Sequence, residues 1–301
     1  MKPIFTSIVI ISSLVASCCH CDKNKTVLKK NIAVSKKETN NNNLNISLLL
    51  DLSDRIDPKK HPNPTMDFYK RDAAYIKTVA KSFDTHLRTK KVKDMNDKIQ
   101  LFFDPEPLNP EINLLSKNLK IEITKATASL EILDKIKKAY ATFPEKIYEL
   151  AINDNRYIGS DTWKFFKNKA KDYCIETGYR NILIILTDGY IYHENSKIRE
   201  ANQTTYLTPQ TIKSFQLNTP TWKTRFEKEN FGFIPATNKL SNLEILVLGI
   251  NPNKKNPYEE DVIKIYWENW LTKMGVKQFE IKKANLPSDM DKLIKEFILN
   301  N

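Results

Sequence analysis

The chain has 301 residues, 41% of them hydrophobic, with a formal net charge of +12 at pH 7. Six glycines argue against a Gly-rich nucleotide loop, and with three of the four cysteines at Cys18, Cys19 and Cys21 no disulfide framework braces the folded part. From Leu44 onward the length suits one full α/β domain and is short for two.

Residues 1–17 have the layout of a secretory signal, with Lys2 followed by the apolar run from Ile4 to Val15. That run is too short to span a bilayer as a mature helix. The stretch Leu14-Val15-Ala16-Ser17-Cys18 resembles a bacterial lipobox. The resemblance implies cleavage before Cys18 and lipidation of it. This would anchor the chain in the bacterial cell envelope, at the outer membrane or the periplasmic face of the inner membrane. An ordinary signal peptide with incidental cysteines is the alternative. Residues 18–43 are polar, carry six lysines against Asp22 and Glu38, and end in Asn40–Asn43. With so little apolar surface they read as a disordered tether. The remaining domain is basic too, but an exported chain is not expected to bind nucleic acid. Attraction to anionic glycans, lipid headgroups or an acidic partner, or a merely solvated lysine-rich surface, fits better.

The domain spans 44–301. Its first predicted strand is Ile46-Ser-Leu-Leu-Leu, stopped by Asp51. A proline-punctuated loop leads to a helix over Asp67–Leu87, with Tyr69, Ala73, Ile76, Val79, Ala80, Phe83 and Leu87 on one stripe. Strands follow at Ile99–Phe103 and Leu119–Thr124, the latter alternating as a half-exposed edge does. A helix from about Ser129 to Ile152 is expected to break near Pro144. Another starts near Thr162 and ends before Gly178. Ile182–Leu186 is a buried strand leading into Thr187-Asp188-Gly189, and Leu243–Ile250 is a second. A helix at Glu259–Met274, a short strand at Gln278–Lys282 and a helix at Ser288–Leu299, with Ser288 as N-cap, complete the chain. Alternating strands and helices predict an α/β fold: a doubly wound, mostly parallel six-stranded sheet with helices on both faces and one antiparallel edge strand. An insertion at about 190–241 leaves the sheet beside Asp188 and reads as a binding loop or lid. Its Trp222 and Phe231 are either recognition aromatics or packing. Trp267 and Trp270 read as core, and Cys174 as a buried thiol.

The ligand crevice of an open parallel sheet lies beyond the carboxyl ends of its strands. Asp51, Ser53 and Asp188 are therefore expected on one rim, where their oxygens suit Mg²⁺, Mn²⁺ or Ca²⁺. Aspartates that merely cap strand ends are the bland alternative.

At these residues the chain resembles a von Willebrand factor type A domain, whose fold is Rossmann-like. That family binds a divalent cation at a metal-ion-dependent adhesion site built from Asp-x-Ser-x-Ser, a threonine on a later loop, and an aspartate, often in Thr-Asp-Gly. Asp51, Ser53 and Asp188 match, and Gly159-Ser160-Asp161-Thr162 supplies the threonine as Thr162, with Ser160 close by. The resemblance implies that Asp51, Ser53, Thr162 and Asp188 hold Mg²⁺ (or Mn²⁺ or Ca²⁺) and that a protein partner completes the coordination with a carboxylate. One residue departs from the pattern: Arg55 stands where the second serine belongs. A guanidinium cannot ligate a cation and favours carboxylates. Arg55 either swings outward and leaves a weakened metal site, or folds inward and pairs with Asp51 or Asp188. Asp54 and Asp57 either restore negative charge or serve the loop.

Three functions follow. The first is a membrane-anchored, cation-assisted protein-binding module without turnover. The second is a metal-dependent hydrolase or phosphatase, for which no Gly-x-Ser-x-Gly, P-loop or His-Glu-x-x-His motif is present and His193-Glu194 is the only base pair to propose. The third is a metal-free scaffold, which Arg55 favours.

Overall fold

The computed structural model describes residues 42–154, 156–157 and 159–300. The signal, Cys18 and the tether up to residue 41 lie outside the described residues. In chain order the elements are β1 (Leu44–Leu50), α1 (Phe68–Thr89), β2 (Asn96–Phe102), α2 (Pro110–Asn118), β3 (Ile121–Thr124), α3 (Leu130–Asp154), α4 (Thr162–Asn168), α5 (Ala170–Cys174) and β4 (Arg180–Leu186). There follow β5 (Arg199–Glu200), β6 (Gln203–Thr204), α6 (Pro209–Ser214), α7 (Trp222–Lys228), β7 (Gly232–Phe233), β8 (Leu243–Ile250), α8 (Glu259–Lys273), β9 (Gln278–Lys283) and α9 (Pro287–Leu299).

Six strands form a mixed sheet in the order β3-β2-β1-β4-β8-β9. All pairs are parallel except β2 with β3, so the expected antiparallel edge is present. Successive strand residues face opposite sides, and the apolar runs of β1, β4 and β8 therefore feed two cores. Leu44, Ile46, Leu48 and Leu50, with Ile182, Ile184 and Leu246, pack under α1, α3 and α9. Leu49, Leu183, Ile185, Ile245 and Val247 pack under α4 and α8 together with Cys174 of α5. Burial on both faces explains why these strands read as continuous apolar runs.

The structure adds one helix and corrects three expectations. Between β2 and β3 the chain carries α2, whose N-cap Asn109 accepts the Glu111 N–H. Helix α3 runs through Pro144 without ending there. Tyr140, Ile147, Tyr148 and Ala151 are all buried, and this packing outweighs the roughly 3 kcal/mol that a mid-helix proline costs. The helix after Thr162 divides at Lys169 into α4 and α5. Helix α9 starts at Pro287, a favoured first-turn proline, so Ser288 lies inside it and Leu286 is the N-cap.

Residues 190–241 form a packed layer. A three-stranded sheet β5-β6-β7 lies among α6 and α7. Phe231 is buried and stacks on Phe215 at 4.6 Å, and Trp222 is partly buried against the second core. The indoles of Trp163 and Trp270 both donate to the Ile234 carbonyl, at 2.9 and 3.0 Å. These aromatics hold the excursion against α4 and α8.

Gly249 allows β8 to pass the end of β4. Its φ is +104°, and a Cβ there would lie 2.8 Å from the Thr187 carbonyl oxygen. The β8–β9 register shifts at this point. Gly249→Ala is expected to cost about 1–3 kcal/mol. In a domain of this size that is a fall of roughly 2–12 °C in Tm, readable by circular dichroism.

Candidate functional site

The site begins where β1 and β4 stop side by side. Leu50 pairs with Leu186, the Asp51 N–H donates to the Leu186 carbonyl at 3.1 Å, and the Thr187 N–H donates to Leu248. Both strands then turn. Asp51 Oδ1 accepts the Ser53 N–H at 2.8 Å and its Oδ2 accepts the Thr187 hydroxyl at 3.2 Å. Asp188 Oδ1 accepts the Tyr190 N–H at 3.0 Å. Gly189 follows with φ +97°, and a Cβ on it would lie 2.6 Å from Ile263 Cγ2, so only glycine lets the chain leave the rim here.

These turns open onto a cleft of about 460 Å³. Asp51, Ser53, Asp54, Ser160 and Asp188 line it, facing Tyr190, Tyr192, Gln210, Asn251 and Asn253. Three of the four residues expected to meet, Asp51, Ser53 and Asp188, do so. The fourth does not line the cleft: Thr162 is buried at the start of α4, its hydroxyl 3.2 Å from Ser160 Oγ, and Ser160 is the one of the two that lines the cleft. Asp161 between them caps α4 by accepting the Lys164 N–H at 3.0 Å.

Arg55 folds inward. Its Nη2 donates to Asp72 Oδ2 at 2.6 Å and to the Leu186 carbonyl at 2.9 Å, and lies 3.3 Å from the Asp51 carbonyl. Its Nε stands 3.2 Å from Asp51 Oδ2, an ion pair without an aligned hydrogen bond. The principal partner is thus Asp72 on α1, with Asp51 second. Tyr148 on α3 donates its hydroxyl to the same Asp72 oxygen at 3.1 Å. Asp72 and Tyr148 are the site residues that sequence reasoning missed. The signal was present, since Asp72 lies three residues after Tyr69 and four before Ile76, on the buried stripe of α1.

Burial opposes charge on Arg55, but Asp72 and Asp51 outweigh it and hold the guanidinium above its ordinary pKa. Burial raises the Asp72 carboxyl above the usual range, against the pull of Arg55. Asp188 is pushed up to about 7, first by desolvation and then by the charge of Asp51, with Arg55 pulling the other way.

This donor set does not fit a divalent cation. The oxygens of Asp51 are already engaged, a fixed positive charge sits against one of them, and Thr162 is turned to Ser160. Among the described residues no three His, Cys, Asp or Glu side chains converge as a cage. The other acids serve the loop: Asp57 accepts from the Lys59 N–H and the Tyr157 hydroxyl, and exposed Asp54 faces Lys60 and His61. His193 pairs with Asp161 at 3.4 Å rather than with Glu194, which accepts the Tyr192 hydroxyl.

No family model matches the chain, and no curated protein does. A solved structure to which it is similar is the pilus adhesin SpaC from Lactobacillus rhamnosus GG, at 11% identity and a TM-score of 0.40. The match covers 85% of this chain and 30% of that one, so the chain spans less than a third of that protein's length.

Three outcomes are expected. Arg55→Ala leaves Asp72 and Asp51 buried without their cation and should cost about 3–5 kcal/mol in urea unfolding at pH 7. Adding Asp72→Asn to it should cost less than the sum of the two single variants, because the pair is coupled. Asp188 keeps in the native state a proton that the unfolded chain releases near pH 4, so its contribution to stability falls as pH rises from about 4 through 7. Asp188→Asn should therefore raise Tm relative to the parent at pH 8 and much less at pH 4.

Proposed function

We propose that this chain is an envelope-anchored protein-binding module of von Willebrand factor A-like, doubly wound architecture whose adhesion-type rim works without a cation. The strand order, the helical layers over both sheet faces and the positions of Asp51, Ser53 and Asp188 support the architecture. The observation that carries the mechanism is Arg55. Its guanidinium supplies, from inside the fold, the positive charge that neutralises Asp51. A Mg²⁺ or Mn²⁺ ion placed beside Asp51 would meet that charge in a poorly screened environment, where like charges repel strongly.

The anchor at Cys18 and the tether belong to the same proposal. They would hold the domain at a membrane and leave the rim free to meet a partner. The hydrolase alternative draws no support from the rim, because Asp51 spends its oxygens on Ser53, Thr187 and Arg55 and His193 belongs to Asp161.

Thermal unfolding tests the cation's role. The protein should show the same Tm in EDTA and in millimolar Mg²⁺, Mn²⁺ or Ca²⁺. Binding at a hundredfold above Kd would add about 2.7 kcal/mol and be plainly seen. Arg55→Ser, which restores the family's serine, should melt lower in EDTA and regain stability with Mg²⁺, and Asp51→Ala should abolish that gain. A metal-dependent rise in the parent protein that Asp51→Ala removes would sink the cation-free reading.

A further inference from the structure

A second groove, about 540 Å³, adjoins the rim cleft. Tyr192, Lys197, Arg199, Tyr206, Gln210, Ser214 and Phe215 are among its walls. The two share Tyr192, Thr208 and Gln210, so they form one continuous trough. Their charges are opposite. Among the described residues, the rim cleft is lined by Asp51, Asp54, Asp188 and His61 and by no lysine or arginine, whereas the groove is lined by Lys197 and Arg199 and by no aspartate or glutamate.

The groove's cations are placed by aromatic rings. Lys197 Nζ stands 5.7 Å from the centres of both the Tyr192 and Tyr206 rings, and the Arg199 guanidinium lies 4.9 Å over Phe215 while Nε donates to the Ala201 carbonyl. Both residues are exposed. Cation–π contacts orient such groups without neutralising them, so their charge is still presented to a ligand. At the other end, Arg55 is outnumbered by Asp51 and Asp72, and exposed Asp54, with Lys60 3.6 Å away, lines the cleft with Asp188.

We infer that the trough from the Asp51–Asp188 rim to the Lys197–Arg199 groove binds an extended polypeptide segment of the partner, with a basic side chain seated at the rim and an acidic side chain seated in the groove. A polypeptide is the occupant because it carries both signs in a set order. An anionic glycan or a nucleic acid bears one sign and, among the described residues, would find no lysine or arginine lining the rim end of the trough. The hydroxyl and amide groups of Thr208, Ser214 and Gln210 suit the peptide backbone between the charged ends. This inference rests on the protein-binding reading above, and it reverses the chemistry that a bound cation would impose, since a cation would draw a carboxylate to the rim.

Fluorescence anisotropy with capped, labelled Gly/Ser peptides tests it, in EDTA at low salt where such contacts are least screened. One peptide carries two arginines at one end and two glutamates at the other, and two controls carry only arginine or only glutamate. The mixed peptide should bind about tenfold tighter than either control, the sum of a few exposed ion pairs. The double variant Lys197→Glu with Arg199→Glu should weaken the mixed peptide by about tenfold at unchanged Tm and strengthen the all-arginine peptide. Three outcomes overturn the inference alone: no binding of any peptide, no loss in the double variant, or tighter binding of heparin than of the mixed peptide. Binding of the all-glutamate peptide that requires Mg²⁺ and vanishes in Asp51→Ala would instead overturn the cation-free reading on which it rests.

Discussion

A single guanidinium buried between Asp51 and Asp72 organises the end of this molecule that faces the cleft. Arg55 follows Asp51 by four residues and reaches back beneath it, so one side chain touches the end of β1, the last carbonyl of β4 and a carboxylate on α1. Through Asp72 it also meets Tyr148 on α3. Two sheet strands and two helices are therefore fixed relative to one another by one cation. A buried ion pair is not by itself a strong source of stability, because desolvation offsets much of the attraction. Its consequence is geometric: the contacts of Arg55 tie the turn from Leu52 to Asp57 to the end of β4 and to α1.

The rim was legible from the sequence because its causes are local. A parallel strand buried on both faces is an apolar run, and the aspartate that stops it marks the edge of the sheet. This is why Leu243–Ile250 appears as a strand with the bounds expected of it and why Asp51 and Asp188 lie on one cleft. Arg55 was half legible. Its type announced that it could not ligate a metal, but its direction depended on Asp72, seventeen residues away on another element and hidden as one more charge on an amphipathic helix. Pro144 misled for a related reason, since a local rule about backbone donors gave way to side chains packed on both sides of the proline. The long excursion was the least legible part. Its strands are two residues each, too short for any period to show, and it is held by rings that find partners far along the chain, as Phe233 does with Tyr266 and Trp270.

What the fold requires and what a binding face requires leave different traces in the sequence. Apolar positions are decided by burial and recur at regular spacing. The charged residues that line the trough come from several separate segments: Asp51 and Asp54 after β1, Asp188 after β4, and Lys197 and Arg199 in the excursion. No spacing in the sequence links them. The pairing of β1 with β4 sets Asp188 beside Asp51, and the turn at Gly189, which sends the chain from the rim directly into Tyr190 and Tyr192, brings Lys197 and Arg199 next to them.

Placing the neutralising charge inside the fold has a cost and a consequence. An exchangeable ion lets a site be switched off by dilution or chelation, whereas a covalently held guanidinium cannot leave. A metal with free coordination positions also shows a net positive face to whatever approaches, but Arg55 is enclosed, with only about 6% of its side chain exposed, and its charge is spent on Asp51 and Asp72. What remains at the surface is Asp54 together with Asp188, whose carboxyl is held up near 7 first by desolvation and then by the charge of Asp51. In the cation-free reading, exchanging a serine for an arginine therefore changes the sign of what the rim attracts. In the same reading a partner that approached with a carboxylate would find its complement farther along the trough, over the rings of Tyr192, Tyr206 and Phe215, where Lys197 and Arg199 are held in the open. On this view the excursion supplies the positive charge that a metal-bearing rim would have carried itself.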